Sequence, residues 1–286
     1  MSIGTEILLP NGNGGRNSFF PKTDYENLVD AQENIVAAHN SLFRGKEISL
    51  SWAEIKAKIQ SGDFSGLYIG DYKEITLTTN EKVIIEIAGI DTYYNTADTP
   101  IGHHIDFISR DCLSGYKKMN NTDTNNGNAT TKNPWMASAL FTAMNNESSG
   151  VYATLPSDLK SHIITKRTLA EERYSAGGSV SSNTSWSWQN VGKLWLPTEI
   201  EVFGCNIWSE QGWGSGQSIQ YPIFKLGGYK HIMKGNGKGG TRCSWWEASA
   251  HRAGATYFCY VNGGGHAHGY VASYASICAP LCFRIG

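Results

Sequence analysis

Apolar residues first recur at a regular spacing near the N-terminal end of the chain. Leu28, Ile35 and Leu42 are seven residues apart, and Thr23–Glu26 has the form of a capping box. The pattern predicts a helix with one apolar stripe. Residues 1–22, which hold Gly, Asn and Pro without periodicity, predict an extended or flexible arm before it. The stripe is too short to distinguish a helix that packs on its own domain from one that associates with other copies of the chain.

A second helix is predicted from a shorter amphipathic pattern. Ser51–Glu54 again has the form of a capping box. Trp52, Ile55 and Ile59 then fall on one helical face, and Gly62 can end the helix. We therefore expect a short helix at the beginning of the main domain.

Strand and helix patterns continue through the middle of the chain and then give way to loops. Apolar positions alternate over residues 83–87 and predict a strand, whereas the asparagine-rich residues 115–132 predict a surface loop. Asn133–Pro134 predicts the start of one helix, and Ser157 the cap of another. Beyond Arg173 the chain is dense in Trp and Gly. This order predicts the α+β class, with a large share of ordered loop.

Composition and charge argue against several classes of protein. The 286 residues carry a net charge of −1, so we expect no general attraction to nucleic acid. No run of 18 apolar residues occurs, and we expect no membrane insertion. The first residues lack the basic and then apolar segments of a signal peptide, so we expect synthesis in the cytoplasm without one.

The cysteines are widely spaced and form no C-x-x-C pair, so they match no zinc-binding pattern. We expect them to be reduced and mostly buried, with a metal or redox role as the alternative. The six are Cys112, Cys205, Cys243, Cys259, Cys278 and Cys282.

The segment Gly102–Asp106 is the most site-like cluster in the first half of the chain. His103, His104 and Asp106 are possible metal ligands. Adjacent residues of a strand point to opposite faces, so only one of the two histidines can pair with Asp106. This geometry favours a structural, hydrogen-bonded histidine over a metal site.

Other candidate chemistry is weak. Residues 212–216 (GWGSG) do not match the G-x-S-x-G nucleophile motif, and residues 235–241 (GNGKGGT) fail the phosphate-loop spacing and predict a turn. Glu199, Glu201 and Glu247 do not form an obvious catalytic pair, and at least one of them is expected to be buried and bonded to backbone amides. We therefore expect no catalytic residues, no metal and no cofactor.

Several sequence blocks, in a fixed order, resemble a known family. The blocks are 66–72 (GLYIGDY), 87–94 (IAGIDTYY), 102–111 (GHHIDFISRD), 193–204 (KLWLPTEIEVFG), 220–224 (QYPIF), 244–250 (SWWEASA), 257–261 (YFCYV) and 279–286 (APLCFRIG). They are similar to C-type lectin-like domains, of the formylglycine-generating-enzyme type, in tail proteins of phages and prophages of gut Firmicutes. The resemblance implies short helices, a small twisted antiparallel sheet and long ordered loops, but neither sugar binding nor calcium.

Some members of that family are variable proteins of diversity-generating retroelements, whose 3′ gene ends are rewritten by copying errors at adenines. Asparagine codons then become codons for residues such as Tyr, His, Ser, Gly and Ala. Residues 249–276 hold four Tyr, three His, five Gly and six Ala, and Arg252 is their only charged residue. This composition, typical also of antibody paratopes, predicts a diversified binding surface. The alternative is a glycine-rich structural hairpin.

These arguments predict residues 1–48 as an arm with a possible oligomerisation helix, and 49–286 as a lectin-like ligand-binding domain with a variable region at 244–286. The predicted ligand-binding residues are Ala253, Gly254, Tyr257, Tyr260, Asn262, Gly264, His266, His268, Tyr270 and Tyr274. Tyr257 and Tyr260 are expected on opposite faces of one strand, so not all ten can be equally exposed. The predicted framework residues are Phe258, Cys259, Val261, Ala272 and Pro280.

The function expected from the resemblance is receptor binding at a phage tail tip or tail fibre, in the virion. The expected partners are a bacterial cell-surface protein or glycan, other tail proteins through the N-terminal region, and two further copies of the chain in a homotrimer. The alternatives are an enzyme of the formylglycine-generating type and a structural tail protein with a non-binding lectin-like domain.

Overall fold

The computed structural model describes residues 7–10, 16–19, 45–177, 180, 182, 185–210 and 219–286. The chain divides into two compact units, residues 1–43 and 44–286. Within the first unit, β1 (Ile7–Pro10) pairs antiparallel with β2 (Arg16–Phe19). The helix predicted over residues 23–42, with its self-association stripe, lies outside the described residues.

The described part of the second unit is a mixed α/β structure with a few short helices and mostly small antiparallel sheets. Its helices are α1 (Trp52–Ser61), α2 (Ala139–Asn145), α3 (Val151–Thr154), α4 (Ser157–Lys160), α5 (Glu199–Phe203), α6 (Pro222–Gly227) and α7 (Tyr229–Ile232). Its strands are β3 (Tyr72–Thr76), β4 (Lys82–Ile90), β5 (Ile105–Cys112), β6 (Ile163–Ile164), β7 (Arg167–Glu172), β8 (Ser185–Asn190), β9 (Leu194–Trp195), β10 (Lys234–Gly235), β11 (Arg242–Cys243), β12 (Trp245–Ala250), β13 (Tyr257–Val261), β14 (Ala267–Val271) and β15 (Pro280–Ile285).

Helix α1 confirms the prediction made from its capping box. The Ser51 side chain accepts a hydrogen bond from the Glu54 backbone N–H, and the Glu54 carboxylate accepts one from the Ser51 backbone N–H. The helix ends at Gly62, whose φ of 70° lies in the left-handed region that favours glycine. Its apolar face packs Trp52 edge-on against Phe283, with the ring centroids 5.9 Å apart.

Two of the predicted helix starts were wrong. The Asn133 side chain caps a single turn by accepting from the Met136 backbone N–H, and α2 begins only after Ser138, which accepts from the Phe141 backbone N–H. Ser157 is the first residue inside α4 and not its cap. That helix stops after four residues because Ile163 then pairs with Ile285 in a sheet. Tertiary pairing thus overrides the helical pattern of the segment.

The largest sheet has the strand order β3-β4-β5-β15-β6, and β9 also pairs with β15. The last strand of the chain therefore lies inside the sheet, with Phe283 opposite Phe107 and Ile285 opposite Ile105. All four of these side chains are buried. This arrangement confirms the prediction of a terminal strand that is paired within its own domain.

A smaller sheet of order β12-β13-β14 carries the region predicted to bind ligand. Trp245 and Trp246 of β12 are fully buried, and so is Trp195 of β9, as predicted. The Trp245 indole N–H donates to the Ile232 carbonyl, and the Trp246 indole N–H donates to the Lys117 carbonyl, both at 2.8 Å. Buried indoles with satisfied N–H groups give this sheet a rigid base.

The glycine-rich residues 235–241 form the turn between β10 and β11, as predicted. The Lys238 ammonium forms an ion pair with Glu74. Across the described residues, no helix is both long and apolar enough to cross a membrane.

Candidate ligand-binding surface

The sheet β12-β13-β14 alternates its side chains between two faces, as strand geometry requires. Tyr260 lies opposite both Trp246 and His268, so these three side chains share one face. Tyr257 contacts the His251 ring on the other face, with the centroids 5.9 Å apart. The predicted separation of Tyr257 from Tyr260 follows from this register.

Aromatic side chains form a connected group on the face that carries Tyr260. The Tyr270 and Tyr274 rings lie 4.2 Å apart, and Tyr260 lies 6.3 Å from Tyr270. His268 extends the group, with its ring 5.3 Å from that of Tyr260. The outer members Tyr270 and Tyr274 are 38% and 40% exposed. Large rigid rings at a solvent boundary are well suited to binding a ligand.

The loop residue Trp208 joins the two faces of the sheet at the β14 edge. Its ring stacks on that of His251 at 5.4 Å and lies 6.5 Å from that of His268. The indole N–H donates to the Ala267 carbonyl at 3.2 Å, and the side chain remains 40% exposed. Sequence reasoning missed Trp208, because a single tryptophan in a loop gives no sign of the strand edge that it covers.

A buried carboxylate positions the loop that carries Trp208. The Glu199 carboxylate accepts hydrogen bonds from the backbone N–H groups of Ile207, Trp208 and Ser209, and from the Ser209 hydroxyl. The prediction that one of the glutamates is buried and bonded to backbone amides is therefore confirmed. Several donors on one carboxylate fix the loop strongly, since charge-assisted hydrogen bonds are stronger than neutral ones.

The segment between β12 and β13 is fixed by side-chain hydrogen bonds to its backbone carbonyls. The Asn125 side-chain amide donates to the carbonyls of Gly254 and Tyr257, and the Arg173 guanidinium donates to those of His251 and Gly254. The side chains of this segment are therefore presented on an ordered backbone. Ala253 is exposed within it, and Gly254 is half-buried.

The turn between β13 and β14 gives Asn262 a structural role. Its side-chain oxygen accepts hydrogen bonds from the backbone N–H groups of Gly264 and His266. Gly265, with a φ of 85°, supplies the left-handed residue of the turn. Asn262 was predicted to contact ligand, but its oxygen builds the loop that presents the exposed Gly264 and His266.

Tyr257 and Tyr260 were both predicted to contact ligand, but only Tyr257 is exposed. Tyr260 is buried, with 9% of its surface exposed, because it lies in the central strand against Trp246 and under Tyr270. Burial raises the pKa of the Tyr260 hydroxyl. Tyr257, by contrast, is 41% exposed at the beginning of β13. The predicted framework residues Phe258, Cys259, Val261, Ala272 and Pro280 are all buried.

The histidine cluster of the first half of the chain is structural, as favoured by its sequence. His103 contacts Asp91, with Nδ1 and Oδ2 2.6 Å apart, whereas His104 is buried and accepts from the Tyr93 backbone N–H. Burial lowers the pKa of His104. The Arg284 guanidinium donates two hydrogen bonds to the Asp106 carboxylate, at 2.7 and 2.8 Å.

A cavity of about 310 Å³ lies between β7, β12 and the segment after Trp208. Its lining includes Trp135, Trp186, Ser209 and Glu171. The Glu171 carboxylate accepts from the Ala250 backbone N–H at 2.9 Å. Burial raises the pKa of this carboxyl to about 7. The GWGSG motif follows this segment in the chain and lies outside the described residues.

None of the six cysteines is in a disulfide, and all except Cys205 are buried, as the sequence indicated. The thiols of Cys112, Cys243 and Cys278 lie together, within 4.8 Å of one another. Hydrogen bonding from the other two thiols lowers the pKa of Cys278 to about 4.

Comparison with known proteins identifies a family. The searches of curated proteins and of solved structures found no match. Residues 107–284 match the family model described as "Domain of unknown function (DUF6273)". The matched range covers more than half of the chain and includes the whole of the β12-β13-β14 sheet. The chain therefore belongs to the DUF6273 family.

Proposed function

We propose that this chain is a binding protein, and not an enzyme, and that it holds its ligand on the aromatic surface of the β12-β13-β14 sheet. The observation that carries the proposal is a series of neighbouring aromatic rings, some of them exposed to solvent, on a sheet whose tryptophans are buried. Tyr270, Tyr274 and Trp208 are each about two-fifths exposed, whereas Trp245 and Trp246 of the same sheet are buried. Exposed aromatic anchors on a rigid base are typical of binding hot spots.

The chemistry of the surface favours adaptable recognition. Its exposed residues include Tyr, Trp, His, Gly and Ala, and Arg252 is the only charged residue between 249 and 276. Tyr and Trp provide contact area at a low cost in side-chain entropy. Such a surface suits a ligand with both apolar and hydrogen-bonding groups, such as a protein loop or a glycan on a bacterial cell.

We propose in addition that the fold of residues 49–286 is C-type lectin-like and that the region 244–286 is diversified by a retroelement. Support comes from the different exposure of the candidate ligand-binding residues and the framework residues between them, since the framework residues are all buried. Nine of the ten candidate residues are half-buried or exposed, and the exception is Tyr260. Positions of this kind tolerate substitution because they do not contribute to the core.

The biological setting proposed for this activity is a phage tail tip or tail fibre, with the N-terminal region attached to other tail proteins and the chain assembled as a trimer. Light scattering on the intact chain tests the assembly, and a species of one chain, 31.3 kDa, would contradict it. Sequencing downstream of the gene tests diversification. The expected finding is a reverse-transcriptase gene beside a near-copy of the 3′ end that differs at adenines.

The binding proposal itself is tested with fluorescently labelled chain and bacterial cells. We expect saturable binding that excess unlabelled chain displaces. A chain with Trp208→Ala, which removes one exposed anchor and leaves the buried base intact, should bind less tightly. A chain that binds no cells and instead oxidises peptide cysteines would support the enzyme alternative, and a chain inert in both assays would support the structural one.

A further inference from the structure

Two glutamates and a cysteine meet beneath the proposed binding surface. Glu247 lies in β12, Cys259 in β13 and Glu199 at the start of α5. One carboxylate oxygen of each glutamate and the Cys259 sulfur all lie within 4.8 Å of one another, and all three side chains are buried. The cluster connects the sheet to the loop that Glu199 holds.

Glu247 differs from Glu199 in its hydrogen bonding. Its side chain is fully buried, and neither carboxylate oxygen has a hydrogen-bond partner. Burial and the neighbouring Glu199 carboxylate raise the pKa of Glu247 well above its usual range. Glu199 is satisfied by contrast, since one of its oxygens accepts from four donors. A buried carboxyl without a partner is costly and requires a compensating group.

We infer that Glu199, Glu247 and Cys259 bind a single Zn²⁺ ion. The donor set selects the ion, because Ca²⁺ and Mg²⁺ take oxygen ligands and reject sulfur, whereas Zn²⁺ accepts both carboxylate and thiolate. Cu(I) prefers sulfur to carboxylate. A divalent ion also supplies the positive charge that the pair of carboxylates lacks.

The geometry requires little movement. Zn–O and Zn–S bonds of about 2.0–2.3 Å place two ligands of one tetrahedral ion about 3.5 Å apart. The three donor atoms, already within 4.8 Å of one another, therefore need to approach by little more than about 1 Å. Within the described residues, no further His, Cys, Asp or Glu joins this group.

The competing explanation is a proton shared between the two carboxyl groups. In that case Glu247 is a neutral acid that donates to Glu199, and no ion binds. Glu247→Gln distinguishes the explanations, because an amide has nearly the same shape and can donate to Glu199 but is a poor metal ligand. The variant should fold under both explanations, which keeps the comparison interpretable.

The experiment is a Zn²⁺ titration of the purified, reduced full chain against a chromophoric chelator. We expect one Zn²⁺ per chain, and we expect Glu247→Gln and Cys259→Ser each to weaken binding by at least about tenfold, the lower end of the loss that even supporting residues produce. Glu171→Gln is the matched control, since Glu171 is buried nearby but lies outside the cluster, and it should bind Zn²⁺ as the wild type does.

A spectroscopic measurement shows directly whether a thiolate binds the metal. In a chain carrying Cys278→Ser, which breaks up the separate group of Cys112, Cys243 and Cys278, Co²⁺ should give a thiolate-to-metal charge-transfer band that the further change Cys259→Ser abolishes. The inference is overturned if the wild-type chain does not retain Zn²⁺ against the chelator. It is also overturned if Glu247→Gln binds Zn²⁺ as tightly as the wild type, or if Co²⁺ gives no thiolate band.

Discussion

The Tyr270 ring lies 4.2 Å from the Tyr274 ring, and both side chains reach solvent. Trp246, in the same sheet, is fully buried. The contact joins a strand residue to a residue of the following loop. The exposed pair therefore depends on the buried base for its position, and binding and stability should respond to different substitutions.

Removal of a buried tryptophan should destabilise the domain. Trp245→Ala and Trp246→Ala should each lower the free energy of unfolding by about 3–5 kcal/mol, because each leaves a large cavity and an unpaired carbonyl. Guanidinium unfolding followed by circular dichroism measures the effect. The exposed Trp208 is the matched control, and Trp208→Ala should cost about 1 kcal/mol or less. Equal costs at the three positions would contradict the assignment of base and surface.

Asp106→Asn should be strongly destabilising, because it leaves the Arg284 guanidinium buried without its counter-charge. The expected loss is about 3–5 kcal/mol of unfolding free energy. The control is Asp98→Asn, which breaks the more exposed pair with Arg167 and should cost far less, because solvent screens an exposed ion pair. If the two variants unfolded at the same denaturant concentration, the buried pair would not have the role described.

Stability should fall as the pH rises from about 5 to 8, in part because of Glu171. Its pKa is about 7 in the folded chain and 4.5 in the unfolded one, so between these values the folded state holds a proton that the unfolded state has released. The associated stability is present below about pH 4.5 and is lost through pH 7, by roughly 3 kcal/mol in total.

Glu171→Gln should flatten this pH profile of the unfolding free energy. Glu147→Gln serves as the control, because Lys193 lowers the pKa of that exposed carboxyl, which therefore does not titrate between pH 5 and 8. A wild-type profile that Glu171→Gln leaves unchanged would show that Glu171 is already ionised in the folded state over this range.

Cysteine reactivity should divide sharply between one exposed and five buried thiols. Cys205 should react with a disulfide reagent within the mixing time, and the others should react only as the chain unfolds, because the reagent cannot reach a buried thiol. Cys205→Ser should remove the fast phase. A second fast thiol in that variant would identify an opening of the core.

Sequence pattern predicted the elements whose local signals agree with their tertiary role. The capping box at Ser51, the terminal strand through Phe283 and the buried tryptophans all belong to this class. The pattern failed at Ser157, where pairing of Ile163 with the last strand overrides the helical spacing. A partner that lies more than a hundred residues away leaves no trace in a local pattern.

The candidate surface was predicted in outline, and its details depend on contacts that the sequence does not contain. Alternation in β13 separated Tyr257 from Tyr260 but could not show that the Tyr260 face is covered by Trp246 and Tyr270. Trp208 and the partnerless Glu247 were not identified as site residues for the same reason. The position of Trp208 depends on the loop that Glu199 binds through its carboxylate, and the surroundings of Glu247 depend on the approach of the same carboxylate.

The most direct test of the account replaces His268, Tyr270 and Tyr274 together with alanine and measures both melting temperature and binding to host cells. Hot-spot tyrosines cost about 1–4 kcal/mol each, so the two tyrosines alone should weaken binding by at least about thirtyfold. The control is Tyr94→Ala, an exposed tyrosine that stacks on His103, which should bind as the wild type does. We expect lost binding at an unchanged melting temperature. Retained binding, or a collapse of the fold, would contradict it.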